Sequence, residues 1–413
     1  MKGLTYRVNP IGWATCLLLK RLWPGCLRTG LNGLALRDLP APPLPTDQWV
    51  RCRTVLGGIC GSDLAILSQR QPPDSFLQAH ATFPSVMGHE NVAVVVEAGA
   101  AVDPSWVGRR VCVDPGLSCR VRQIDPPCRP CRDGRFGACE NFSADGLGAA
   151  RLPPGSCLGY CGPLGGAWGE GFVAHRSQLV AVPEGMSDEL AVLTDPLACA
   201  LHAVLRADLS AAERVLVYGG GVLGLGTVWA LRATGFAGRV DAIARHAHQA
   251  AWARRLGADK VLALPRGRVG RFAAVAERVG GRVVRARLGG IALSGGYDVV
   301  FECVGSSASM EEAIKWTRSR GQTVLVGTGH GRGTDLTAVW FGELTVLGVS
   351  GRGVERFAGR EIETYALAHE LMTSRGEGLE GLLTHTFPLA DWRKALATAM
   401  DKSAGSIKVA FCP

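Results

Sequence analysis

Residues 215–224 read Val-Leu-Val-Tyr-Gly-Gly-Gly-Val-Leu-Gly, an apolar run that meets a cluster of glycines. Such a run, bounded by a turn signal, reads as a buried strand. Gly219, Gly221 and Gly224 keep GxGxxG spacing, and a helix-compatible stretch follows to residue 234. Alone, that spacing would be no more than a glycine-rich structural turn. Between a strand and a helix it has a mechanism. The first glycine permits the tight turn, the second lets the backbone approach a pyrophosphate, and the third lets helix and strand pack closely. The helix N-terminus then attracts the phosphates.

The rhythm around this turn extends the reading. A second strand is predicted at 240–244 and a helix at 247–256, and residues 297–302, 310–316 and 322–326 continue the alternation. Strand–helix alternation of this kind predicts a doubly wound parallel sheet, so the fold class is α/β. The first half of the chain differs. Short β-branched runs at 50–56, 92–96 and 110–113 stand among glycines and prolines, which predicts a β-rich domain with long loops. An acid at the end of the second strand of the parallel sheet would bind ribose hydroxyls. Here Ala244 holds that place and Arg245 follows, so NADP is expected in preference to NAD.

A chain of 413 residues is too long for one ordinary core, which predicts two domains. Net charge is +9, but the arginines are scattered apart from one dense stretch at 266–287, and no recognition motif accompanies it. Nucleic-acid binding is therefore not expected. No apolar run is long enough to span a bilayer. The short run at 11–19 ends at Lys20 and Arg21 without a small-residue cleavage site, so no signal peptide is expected. Fourteen cysteines with CxxC spacing suit metal thiolates in a reducing cytoplasm better than a secreted disulfide framework.

Two groups of residues carry metal chemistry. Cys60 lies in Gly-Ile-Cys-Gly-Ser-Asp at 58–63 and His89 in Gly-His-Glu at 88–90. A catalytic zinc needs three protein ligands and one open position, and these supply a thiolate and an imidazole. Cys119, Cys128, Cys131 and Cys139 form a ladder that suits a closed tetrathiolate site.

With these motifs the chain resembles the zinc-dependent medium-chain dehydrogenases of the alcohol, polyol and threonine type, over nearly its whole length. The resemblance implies a GroES-like catalytic domain at 1–196 with a zinc lobe at about 115–142. It also implies a Rossmann domain at 197–360 and a return to the first domain at 361–413. It implies two zinc ions per chain and hydride transfer between an alcohol or polyol, or its carbonyl, and the nicotinamide. Asp63 would orient the histidine ligand, and Ser62 would pass the alcohol proton outward. The third catalytic ligand would come from the segment at 194–204, where relatives often place Glu at the position of Asp195; Glu90 is the alternative. The first ladder ligand would be Cys119, with Asp125 as the alternative. Lys408 would reach the pyrophosphate, or else be a solvated surface lysine. A homodimer or homotetramer is implied. The rival readings are a threonine- or sugar-type dehydrogenase and a non-catalytic NADPH-binding zinc protein.

Two insertions depart from the family pattern. Residues 10–31 predict a short amphipathic helix, either a packed flap or subunit contact or a membrane-surface element. At 266–293 one helix of the family pattern is expected to be remodelled.

Overall fold

Strand Trp49–Gly58 buries Val50, Cys52, Thr54 and Leu56 on one face, while Arg53 on the other is exposed and Arg51 and Val55 are half-buried. Asn91–Ala98 pairs along one edge. On the other edge Gly171–His175 pairs with its first half and the tail strand Lys408–Cys412 with its end. This computed structural model describes residues 1–72 and 74–413. Leu383–Pro388 and Lys408–Cys412 close the sheet at one end, and Arg110–Val113 and Leu179–Ala181 at the other. Trp49, Val95, Val111 and Phe172 lie in its fully buried core. These strands belong to a unit made of Met1–Asp195, Arg352–Val354 and Glu361–Pro413.

The second unit is Pro196–Gly351 with Glu355–Arg360. Its main sheet has six strands, all parallel. They run in the spatial order Lys260–Leu262, Arg239–Ile243, Arg214–Tyr218, Tyr297–Glu302, Thr317–Leu325 and Thr345–Gly348. The order reverses beside Arg214–Tyr218, the central strand whose Val215, Leu216 and Val217 are fully buried. In such sheets the crevice at that reversal receives the ligand. The helix thought to be remodelled at 266–293 is present as Arg268–Val279. What differs is an antiparallel hairpin added after it, Arg282–Arg285 with Ile291–Ser294. Gly280 ends the helix in the left-handed region, which frees the chain to turn into the hairpin.

The insertion at 10–31 folds as the helix Pro10–Leu19 followed by two short 3-10 turns. Asn9 caps the helix through its side-chain oxygen. No helix among the described residues is long and apolar enough to cross a membrane.

The cysteine lobe is organised by a buried cation. Arg122 is fully buried, and its guanidinium donates to six backbone carbonyls: Leu117, Ala144, Leu152, Phe142, Pro153 and Gly155. Irregular chain has few internal partners for its carbonyls, so the guanidinium fork supplies them. Arg122→Met keeps much of the volume and removes every donor. It should lower stability by at least about 3 kcal/mol, because several buried carbonyls lose their partners together. Calorimetry checks this; an unchanged transition would show that water replaces the guanidinium at no cost.

Candidate active site

Cys60 stands where Trp49–Gly58 gives way to the helix Gly61–Leu67. Its backbone N–H donates to Asp63 Oδ2 at 3.1 Å, which fixes the first turn of that helix. His89 and Glu90 stand directly before Asn91–Ala98, the neighbouring strand. The two strand ends are held together tightly. Gly58 N–H donates to Glu90 O at 2.9 Å, and a Cβ on Gly58 would lie 2.2 Å from Glu90 Oε2. Only glycine lets the two segments approach so closely. As a result the donor atoms of Cys60, His89 and Glu90 all lie within 4.8 Å of one another.

Asp63 is fully buried behind His89, with Oδ1 3.5 Å from His89 Nδ1. That is ion-pair range without hydrogen-bond geometry, and Nδ1 has no other partner. Burial favours the neutral imidazole, but Asp63 and Cys60 outweigh it and hold the pKa of His89 well above its ordinary value. Sequence reasoning missed Tyr160. Its hydroxyl lies 2.6 Å from Asp63 Oδ1 and 3.2 Å from Ser62 Oγ. A phenol has one hydrogen, and the shorter, charge-assisted contact takes it. Ser62 Oγ is the second, more distant acceptor on the same phenol. Burial, reinforced by Asp63, holds the Tyr160 pKa far above normal, so it stays a donor. No local signal marked this residue, which lies in a loop 97 residues from Asp63.

Two expected residues have other partners. Lys408 is neither a solvated lysine nor poised for a pyrophosphate, because it is 2% exposed and its ammonium meets both Glu90 oxygens at 2.5 and 2.6 Å. It also donates to Ile59 O at 3.1 Å. Burial opposes the charge on Lys408, yet Glu90 keeps its pKa above the ordinary lysine value. Burial also pushes Glu90 up, while Lys408 pulls it down. Asp195 is outside the three-donor group. Its Oδ1 accepts from Tyr365 at 2.5 Å, and Arg352 Nη2 lies 3.6 Å away.

In the lobe, the sulfurs of Cys119, Cys128, Cys131 and Cys139 gather within 4.8 Å, and Asp125 is not among them. Cys119 lies 3.5 Å from Cys128 and 3.7 Å from Cys139. Backbone and amide donors point at the sulfurs: Cys128 N–H and Asn141 Nδ2 at Cys119, and Asn141 N–H at Cys139. A hydrogen bond from Cys131 is the largest of the effects that lower the Cys139 pKa to about 5, against burial. Donors of this kind stabilise thiolates, the form that binds zinc.

In the second unit, Gly221 caps the helix Val222–Ala233 directly after Arg214–Tyr218 and Gly219. A Cβ on Gly224 would meet Gly219 O at 1.8 Å, whereas one on Gly221 would meet nothing within 4 Å. The first fact is close helix–strand packing; the second is open space where a phosphate can approach the helix N-terminus. Ala244 follows the strand Arg239–Ile243, and Arg245 is exposed. The one acid of that strand, Asp241, is buried and held by Arg278 at 2.7 Å and Tyr297 at 2.9 Å.

Comparison with known proteins agrees with this geometry. Residues 46–184 match the family model of the alcohol dehydrogenase GroES-like domain, and residues 222–367 that of zinc-binding dehydrogenase. A sorbitol dehydrogenase of Arabidopsis thaliana is 30% identical over 92% of this chain and 93% of its own length. The crystal structure of 2R,3R-butanediol dehydrogenase from Bacillus subtilis is 25% identical with a TM-score of 0.68, over 92% of this chain and 96% of that one. A putative zinc-binding dehydrogenase from Sinorhizobium meliloti 1021, bound to NADP, has the same fold at 23% identity and a TM-score of 0.70, covering 100% of both chains. The chain therefore belongs to the zinc-dependent medium-chain dehydrogenases, NAD(P)-dependent oxidoreductases of alcohols and polyols.

Proposed function

We propose that this enzyme acts on a small polyol or secondary alcohol, with Cys60, His89 and Glu90 holding a catalytic zinc and Cys119, Cys128, Cys131 and Cys139 a structural one. The observation that carries the reading is the three-donor group beside the Ser62 hydroxyl. Thiolate, imidazole and carboxylate form a donor set suited to zinc, and three protein ligands leave a position for substrate. Glu90 is preferred to Asp195 because Asp195 already serves Tyr365 and Arg352. A carboxylate has lone pairs enough to serve both Lys408 and a metal. When bound, zinc supplies Lewis acidity that favours the alkoxide, and the nicotinamide supplies the hydride acceptor.

This chain's own residues do the rest. Asp63 faces Nδ1 of His89, which leaves Nε2 for ligation. Tyr160 steadies Asp63. Its contact with Ser62 holds that hydroxyl in place, where it would accept a hydrogen bond from an incoming alcohol. The four ladder cysteines have no open position and do no chemistry. They close a lobe that otherwise has little regular structure. The similarity to a sorbitol dehydrogenase supports a polyol substrate. Metal thiolates need a reducing compartment, which supports the cytoplasm. The parallel sheet ends at Thr345–Gly348, near in sequence to exposed Trp340 and Phe341, and this edge supports a homo-oligomer.

Cys60→Ala is expected to abolish turnover and remove one of two zinc ions while the fold survives. Elemental analysis and circular dichroism check this, and full turnover with unchanged zinc would refute the site. Tyr160→Phe keeps the ring and removes the hydroxyl. A roughly 10- to 100-fold loss in activity or zinc affinity is expected, the range for groups that orient metal ligands. Chelator competition and kcat together measure it; wild-type values for both would remove Tyr160 from the mechanism.

We further propose that NADP is preferred. Ala244 leaves the ribose without a carboxylate, Asp241 is committed to Arg278 and Tyr297, and Arg245 is exposed for a 2′-phosphate. A charge-assisted contact of this kind is worth roughly 1.5–3 kcal/mol, or about ten- to a hundredfold in affinity. Arg245→Ala should therefore weaken NADPH by that factor and leave NADH nearly unchanged, while Ala244→Asp should reverse the preference. Titration of both cofactors decides it: tighter NADH binding by the wild type would overturn the assignment.

A further inference from the structure

The segment at 10–31 plays no part in the site, and its outward face is apolar. The inward face of Pro10–Leu19 is satisfied, since Cys16 packs with Cys26 and Leu27 in a small buried cluster. Ile11 and Leu18 on the outward face are exposed by 81% and 79%, and Leu22, in the turn directly after the helix, by 89%. Trp23, directly after them, is 50% exposed. A surface helix ordinarily turns such a stripe toward the core. Here the chain's own folding leaves it in water.

The charge around this stripe has one sign. The first 40 residues hold six lysines and arginines against one acid, Asp38. Among the described residues, Arg7, Arg21, Arg28 and Arg37 have no carboxylate partner. Arg7 and Arg37 line a cavity of about 350 Å³ with Asn9, Pro10 and Gly30, at the start of the helix. Arg21 and Arg28 flank Leu22 and Trp23 at its other end. A ten-residue helix is about 15 Å long, so unpaired positive charge brackets the apolar stripe at both ends.

We propose that this segment seats the enzyme on an anionic bilayer surface. Ile11, Leu18 and Leu22 enter the boundary between headgroups and acyl chains, Trp23 lies at headgroup level, and the arginines meet lipid phosphates and carboxylates. The helix is too short to cross, so the enzyme lies on the membrane. A second copy is the less suitable occupant. A two-fold contact sets the same patch against itself, and like charges brought together oppose it. Neither signal suffices alone, because a three-residue apolar stripe binds weakly without charge.

The test is co-sedimentation of the zinc-loaded, full-length enzyme with vesicles of phosphatidylcholine alone and with added phosphatidylserine. Binding is expected only with phosphatidylserine and should fall as salt rises. The triple variant Ile11→Ser, Leu18→Ser, Leu22→Ser should lose binding tenfold or more, and Arg7→Gln with Arg37→Gln roughly tenfold, both with turnover in solution unchanged. No binding to either vesicle, equal binding to both, or wild-type binding by the variants would overturn the proposal. So would a triple variant that lowers the oligomeric mass in light scattering without changing vesicle binding, because the stripe would then belong to a second copy.

Discussion

The candidate metal site depends on one buried ion pair, Lys408 with Glu90. Lys408 belongs to the last strand of the chain, and its ammonium meets the Glu90 carboxylate and the carbonyl of Ile59. Those two contacts lie next to His89 and Cys60, so one cation registers both donor segments. Such a pair adds little net stability, because desolvating two charges consumes most of the attraction. Its value is geometric: a buried ammonium accepts only an arrangement that keeps it paired. The tail strand thus supports the candidate site as well as the sheet.

The same physics recurs in the lobe with the signs distributed differently. Arg122 makes no ion pair among the described residues and spends its guanidinium on six carbonyls. Burial lowers its pKa, while nearby Cys161, Cys139 and Cys119 oppose that shift. A positive charge beside a thiolate cluster offsets part of the charge that four cysteines concentrate. The two candidate metal sites therefore share cysteine sulfur as a donor and differ in what surrounds them. One is closed by four sulfurs and backbone donors, while the other has three donors of different types, with a hydroxyl network at its side.

That network joins Ser62, Tyr160 and Asp63 through one short contact and one longer one, both made by the Tyr160 hydroxyl. Asp63 accepts from Tyr160 at 2.6 Å, and Ser62 Oγ lies on the same phenol at 3.2 Å. Buried polar groups are costly unless fully partnered, so the network also rigidifies the wall behind His89.

What the sequence determined by itself was local. The glycines at 219, 221 and 224 act through backbone φ and through space only a few residues away, so spacing within one turn sufficed to read them. The spacing from Cys128 to Cys139 could be read for the same reason, whereas Cys60 and His89, 29 residues apart, are joined only by the pairing of the strands they flank. The alternation of strand and helix after residue 214 marked the parallel sheet, because burial on both faces leaves a compositional trace. Tertiary structure alone decided which partner each long-range polar group took. Tyr365 claims Asp195 across 170 residues and Lys408 claims Glu90 across 318, while the Tyr160 hydroxyl reaches Asp63 from a loop with no motif. The sequence lists the charged and polar groups, but burial makes each choose one partner, and that choice depends on which strand ends the fold brings together.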